Sequence, residues 1–343
     1  MFFASDNGSG AAPEILAALM RANEGYARSY GADPIMARVK TLVRQMFEAP
    51  EAEVYLVATG TAANALSMAL LSPPWAAVFA HAEAHAAVDE CGAPEFFSGG
   101  AKMIAVAGDH GKMTPETLTA ALDRVGVSGV HGVQRGMVSL TNVTEAGTVY
   151  TPKEIAALTA VAKSRNLPSH LDGARFANAL VATGATPAEM TWQAGIDILS
   201  LGGTKNGCLG VEAVVLFDPA KAWELELRRK RAGHLFSKHR YLSAQMEAYL
   251  TDGLWLRLAA QANAMGARLV KGLARIPGTS LRHPAPANML FPLWPQGTND
   301  RAIARGAIYY PMPAPQGQDS GRLVASWSTT EADVEAVLGA LTP

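Results

Sequence analysis

Four positions in this 343-residue chain carry residue types that could do chemistry, and each follows a short apolar run. Thr59-Gly60-Thr61 comes after Val54 to Ala58 and opens an alanine-rich stretch. Free N–H groups at a helix start, the helix dipole and two flanking hydroxyls suit an anion, phosphate above all. A plain helix cap accounts for the same residues. Asp172 ends the run from Ser169, with Arg175 three residues on. Such a carboxylate can hold the protonated ring nitrogen of a pyridine cofactor, and a guanidinium fork suits a carboxylate. An Asp–Arg ion pair, or an N-cap for the following helix, is the structural alternative. Lys205 stands in Gly202-Gly203-Thr204-Lys205-Asn206-Gly207, where glycines let a ligand approach and leave the lysine little packing. A Schiff-base lysine needs that access, because only the neutral amine attacks a carbonyl. An ordinary loop lysine is solvated instead, and the glycine setting favours the chemical reading. His85 follows the run ending at Ala80 and could stack on a flat ring or move a proton near neutral pH. It could equally be structural, as could His81 nearby.

Alternating strands and helices are needed to place these residues. Helical spacing runs from Pro13 to about Asn23, and more clearly through Ile35, Met36, Val39, Leu42, Val43, Met46 and Phe47. Strands are predicted at 54–58, 75–80, 102–107, 136–140, 169–171, 196–201 and 213–217, with helices at 153–164 and 176–183 among those between them. That alternation predicts a mostly parallel α/β sheet covered on both faces, with ligands beyond the carboxyl ends of its strands. Beyond residue 245 a long helix, 254–273, leads to short strands at 288–293 and 322–327. A last helix follows, with Ser328 as its cap and Glu331 three residues on. The expected division is an arm at 1–12, a large domain at 13–245 and a small α+β domain at 246–343.

Composition narrows the function classes. The chain is 49% hydrophobic and 17% charged, which excludes a disordered protein, and 29 basic residues balance 30 acidic ones. That balance argues against coating nucleic acid or an anionic membrane and for a small-molecule partner. Two cysteines, Cys91 and Cys208, make no disulfide framework or zinc pair, so no metal is expected and a reducing compartment is the simpler reading. The N-terminus lacks signal-peptide character and no run reaches the roughly 18 to 20 apolar residues of a membrane span, so a cytoplasmic protein is expected. No HExxH, Walker loop or Gly-x-Ser-x-Gly elbow is present.

The order of phosphate turn, histidine, aspartate and lysine is that of pyridoxal-phosphate enzymes of the aspartate-aminotransferase fold. More closely, the chain resembles the L-threonine aldolase family over nearly its whole length. Ser5-Asp6, Tyr30-Gly31-Ala32-Asp33-Pro34 and Thr59-Gly60-Thr61-Ala62-Ala63-Asn64 are similar to its N-terminal, Tyr-Gly-x-Asp-Pro and phosphate-turn motifs. His85, Glu90 and Gly92 keep its His-x-x-x-x-Glu-x-Gly spacing, and His170-Leu171-Asp172-Gly173-Ala174-Arg175-Phe176-Ala177-Asn178-Ala179 is the most specific match. The Gly-Gly-Thr-Lys-Asn-Gly form resembles a bacterial branch of low-specificity threonine and phenylserine aldolases. Thr141-Asn142-Val143-Thr144-Glu145 departs from the family's Glu-Asn-Thr-His, and residues 220–245 align loosely.

The resemblance implies fold type I, with a mostly parallel seven-stranded sheet and a small C-terminal domain. It implies pyridoxal 5'-phosphate held covalently by Lys205, with Thr59, Gly60 and Thr61 at the phosphate and Asp172 at the ring nitrogen. His85 would stack on the ring and help remove the β-hydroxyl proton. Arg175, Arg322 and Ser5 would grip the substrate carboxylate. Arg228 and Arg231 are the candidates for a phosphate arginine reaching a neighbouring subunit, against a solvated basic helix face. The implied reaction cleaves L-threonine, L-allo-threonine or a phenylserine-type β-hydroxy-α-amino acid to glycine and an aldehyde, in a homodimer or homotetramer. A β-eliminating lyase or an aminotransferase is the alternative within the cofactor class, and a non-catalytic binding protein the alternative outside it.

Overall fold

The computed structural model describes residues 1–343. Its centre is a sheet of seven strands: β1 (Glu53–Val57), β2 (Ala76–His81), β3 (Lys102–Val106), β4 (Gln134–Thr141), β5 (Ser169–Gly173), β6 (Ile198–Gly202) and β7 (Glu212–Leu216), ordered β1-β7-β6-β5-β4-β2-β3. The pairs from β3 through β2, β4 and β5 to β6 are parallel; β7 alone runs the other way between β6 and β1. Every residue of β2, β5, β6 and β7 is buried, as expected where helices cover both faces. The predicted mostly parallel seven-stranded sheet is therefore what forms, each strand within two residues of its expected bounds.

Small side chains let one helix lie deep in the molecule. Gly60–Leu71 is buried at every position from Ala62 onward, and its alanines bring it close to the sheet. The largest apolar core has 44 buried residues, among them Phe79, Leu140, Phe176 and Trp255. A second core of 16 residues, including Trp294, Leu323 and Val337, lies under a smaller antiparallel sheet. That sheet comprises β8 (Ser280–Leu281), β10 (Pro292–Pro295), β11 (Tyr310–Met312) and β12 (Gln318–Val324), with β9 (Met289–Leu290) also paired to β12. The helix Leu254–Leu273 feeds both cores, Trp255 and Leu258 the first, Leu269 and Leu273 the second. Residue 245 lies inside the helix Arg240–Leu250, whose Leu242, Met246 and Tyr249 belong to the large core.

Three local expectations are corrected. The N-terminal segment is threaded through the structure: Phe3 is fully buried in the second core, its N–H donates to Ile308 (2.7 Å), and its carbonyl accepts from Val324 (2.8 Å). The last long strand is Gln318–Val324, ending three residues earlier than expected, because the Asn288 side chain takes the Ala325 carbonyl and closes the ladder. The final helix, Glu331–Leu341, is capped by Thr330 in a box with Asp333. Ser328 is drawn instead into a turn where Ser326 Oγ meets it at 3.1 Å and Thr329 Oγ1 accepts from Ser326 N–H at 2.8 Å.

Gly266 sets how closely the long helix approaches the segment before β9. A methyl there would lie 2.6 Å from the Ala287 carbonyl oxygen and 3.2 Å from Asn288 Cα, both backbone atoms. Gly266→Ala is expected to destabilise the protein by about 1–3 kcal/mol through overpacking, measured by chemical denaturation.

Candidate active site

The site forms where β1, β5 and β6 end. After β1, the Thr59 hydroxyl accepts from Ala62 N–H at 3.2 Å and caps the helix, while the Gly60 and Thr61 amides take no acceptor from the protein. Cap and anion seat are thus one structure: the cap fixes the turn, and the free amides face whatever anion arrives. After β6 the chain turns through Thr204–Asn206, with Gly207 at φ 101°. The Asn206 amide is pegged into the core, donating to Tyr249 Oη and the Trp255 carbonyl, both at 2.8 Å, so its neighbour Lys205 is carried on a fixed turn. Thr59, Gly60, Thr61, His85, Asp172 and Lys205 line one cavity of about 260 Å³, together with Asn7, Asn64, Glu90, Glu145, Thr204 and Glu212.

A hydrogen-bond chain crosses the floor of that cavity. Asp172 accepts from the Ala174 amide at 3.0 Å and from Asn64 Nδ2 at 2.9 Å; the same Asn64 nitrogen donates to Glu90 Oε1 at 2.9 Å. Glu90 Oε1 then meets His85 Nδ1 at 3.0 Å. That contact raises the His85 pKa above its ordinary value, assisted by Glu145 and Asp172 and opposed by burial and Lys205. Beneath Asp172, the buried His170 bridges Ser139 and Ser200, 2.9 Å from each, and burial lowers its pKa to about 4, so it stays neutral. Asn64 and Glu90 lay within motifs already singled out, but their bridging role depends on contacts between distant segments. Glu212 drew no attention, because Glu-Ala-Val-Val-Leu reads as an ordinary strand.

Of the three residues expected at the substrate carboxylate, Arg322 alone lines either of the two adjoining cavities. Arg175 and Asp6 form a buried pair, Nε to Oδ2 at 2.7 Å and Nη2 to Oδ1 at 2.9 Å. The fork is therefore filled by Asp6, and only Nη1 is left without a protein partner. Burial alone would push the Asp6 carboxyl up, yet Arg175, Lys205 and Asn288 hold it below its usual value. Ser5 Oγ accepts from Asn7 N–H and caps the turn Asp6–Gly8; it is Asn7 that lines the cavity. Arg322 lies 4.9 Å from the Tyr310 ring centroid, donates to the Ala4 carbonyl at 3.0 Å, and leaves a buried Nε unpartnered. It lines an adjoining cavity of about 350 Å³ that shares His85 and Glu145 with the first. Arg228 is paired to Glu224, and neither it nor Arg231 lines either cavity of this chain.

The donor set fits the cofactor that the resemblance implies. Unpaired amides at a helix start match a phosphate, a pinned carboxylate matches a ring nitrogen, and an amine and an imidazole complete the walls. With the inverted β7 in a parallel sheet and a small antiparallel domain alongside, this defines a fold type I α/β enzyme.

Comparison with known proteins agrees. A beta-eliminating lyase family model matches residues 3–292. A low specificity L-threonine aldolase of Pseudomonas sp. is 41% identical over 98% of each chain, and one of Pseudomonas aeruginosa is 41% identical over 98% of this chain and 94% of its own. A threonine aldolase structure from Leishmania major superposes with a TM-score of 0.93 at 30% identity, covering 99% of this chain and 98% of that one. The chain belongs to the beta-eliminating lyase family and, within it, groups with the low-specificity L-threonine aldolases.

Two outcomes follow from the site's polar contacts. Glu90→Gln removes the carboxylate facing His85, so the His85 pKa should fall, as read by NMR titration of its ring. The stability that protonated His85 draws from Glu90 is fully present below pH 6.5 and lost as pH rises through the raised value; the variant should lack that slope. Asp6→Ala leaves Arg175 charged and buried without its partner, and should cost about 3–5 kcal/mol in denaturation.

Proposed function

We propose that this chain is a pyridoxal-phosphate-dependent aldolase that cleaves L-threonine and related β-hydroxy-α-amino acids to glycine and an aldehyde. The observation that carries the proposal is the gathering of the anion turn, Asp172, His85 and Lys205 around one cavity. Bound pyridoxal phosphate supplies an electron sink for the charge left on Cα when the Cα–Cβ bond breaks. The Gly60 and Thr61 amides hold the phosphate. Asp172, fixed by Asn64 and Ala174, keeps the ring nitrogen protonated. Lys205, through Nζ, is the amine that would hold the cofactor covalently.

Arg322, which lines the adjoining cavity, anchors the substrate carboxylate, with Arg175 contributing its remaining Nη1. This grip would fix the orientation of the Cα–Cβ bond and so favour its cleavage over proton loss. His85 packs against the ring and takes the β-hydroxyl proton directly or through water; Glu90 orients it.

The same proposal makes the working unit a homodimer or homotetramer. A groove lined by Leu66, Phe96, Leu227, Arg228 and Arg231 leaves Phe96 mostly exposed, and a second copy of the chain would cover it. A cytoplasmic location accords with the separate, unpaired thiols of Cys91 and Cys208, and no helix is long and apolar enough to cross a membrane.

Purified protein given pyridoxal phosphate and L-threonine should release glycine and acetaldehyde in equal amounts, whereas pyruvate and ammonia would indicate β-elimination instead. Lys205→Ala should lower turnover by about 10³-fold or more, as expected for an essential group. Asp172→Ala should reduce catalysis far more than stability; an equal loss of both would assign Asp172 to structure alone.

A further inference from the structure

One buried acid in the cavity has no part in this scheme. Glu212 is the first residue of β7, and because β7 is inverted it lies at the end of the sheet where the other strands finish. In register it faces Val57, two residues before Thr59, on one side and Gly202, three residues before Lys205, on the other. It is 7% exposed and accepts from the Gly203 amide at 2.6 Å. The turn is closely packed: a methyl on Gly203 would lie 2.6 Å from the Val211 carbonyl, and one on Gly202 would lie 2.3 Å from that of Ala174. The carboxyl therefore joins the lysine loop to β7, the strand paired with the one that delivers the anion turn.

Charge makes this placement consequential. An ionised Glu212 attracts the Lys205 ammonium but repels an anion on the nearby turn. A neutral Glu212 removes that repulsion. The other titratable groups facing it are Cys208 and Tyr249, both pushed up by burial and so neutral. His85, Glu90, Glu145 and Asp172 line the same cavity, and Lys205 is the charged group that acts on it.

We propose that Glu212 is a positioning residue that holds the Gly203–Thr204 turn and links cofactor capture to proton uptake, being protonated when a phosphate occupies the Thr59–Thr61 turn and ionised when that turn is empty at alkaline pH. Burial pushes its carboxyl up to about 7, against Thr204, Gly203 and Lys205, so the exchange falls near neutral pH. The inference rests on the assignment of Lys205 and the anion turn to pyridoxal phosphate.

The test compares wild type, Glu212→Gln and Glu212→Ala in the full chain. Titrating pyridoxal phosphate by its absorbance, the affinity of wild type relative to Glu212→Gln should fall about tenfold per pH unit above pH 7, the linkage of one proton. Wild type should also take up more protons on binding, read in two buffers of different ionisation heat. Before cofactor is added, the stability owed to neutral Glu212 is fully present below its unfolded value of 4.5 and lost as pH rises through 7. The melting temperature of wild type should therefore decline between pH 5 and pH 8 relative to Glu212→Gln. At pH 6, Glu212→Gln should retain cofactor like wild type, whereas Glu212→Ala, lacking the acceptor for Gly203, should release it at least tenfold faster. Parallel pH profiles for wild type and Glu212→Gln, in affinity and in melting, would overturn the proposal. Full turnover by Lys205→Ala would instead overturn the cofactor assignment, and would leave the melting comparison unaffected.

Discussion

The buried pair of Asp6 and Arg175 is the contact on which the assembly of the site depends. Two opposite charges are removed from water at one point, and each is tolerable only because the other is there. Asp6 reaches Arg175 on the large domain and also accepts from Asn288 Nδ2 at 3.1 Å on the small-domain side. Asn288 in turn donates to the Ala325 carbonyl, where the β12 ladder ends. One carboxylate thereby fixes the N-terminal segment, the loop after Asp172 and the edge of the second sheet. Asn7 reaches the cavity because its neighbour Asp6 is held.

Much of the site could be read from the sequence, for a physical reason. In a mostly parallel sheet the strand ends converge on one edge, so an unusual residue after each apolar run identifies both the strand and the ligand edge. Thr59, Gly60, Thr61, His85, Asp172 and Lys205 were all found in this way, and all line the same cavity. The helices were equally legible, Phe176–Thr183 and Leu254–Leu273 matching to the residue, because their apolar spacing is set by burial on one side.

What escaped the sequence is long-range pairing. Arg175 finds its partner 169 positions away, and nothing in Asp172-Gly173-Ala174-Arg175 indicates that the fork is already filled. Asn64 serves two carboxylates from distant segments, Glu90 and Asp172 on β5. The cap of the last helix was placed at Ser328 because Ser-x-x-Glu is a sound local pattern. Thr330 with Asp333 offers the same pattern two residues later, and the side-chain turn at Ser326 decides between them.

The division of labour between the two cores has a mechanical consequence. The anion turn, Asp172, His85 and Lys205 are all borne by the large sheet and its flanking loops, whereas Arg322 stands on β12 of the smaller sheet. On the proposed roles, a substrate carboxylate would be held from the smaller body and the prosthetic group from the larger, the two joined through Asp6. The β6–β7 hairpin ties both ends of the lysine loop to neighbouring strands, so the reach of its amine is set by a short local leash. On that division, amino acids would come and go against one body while the seat on the other stays intact.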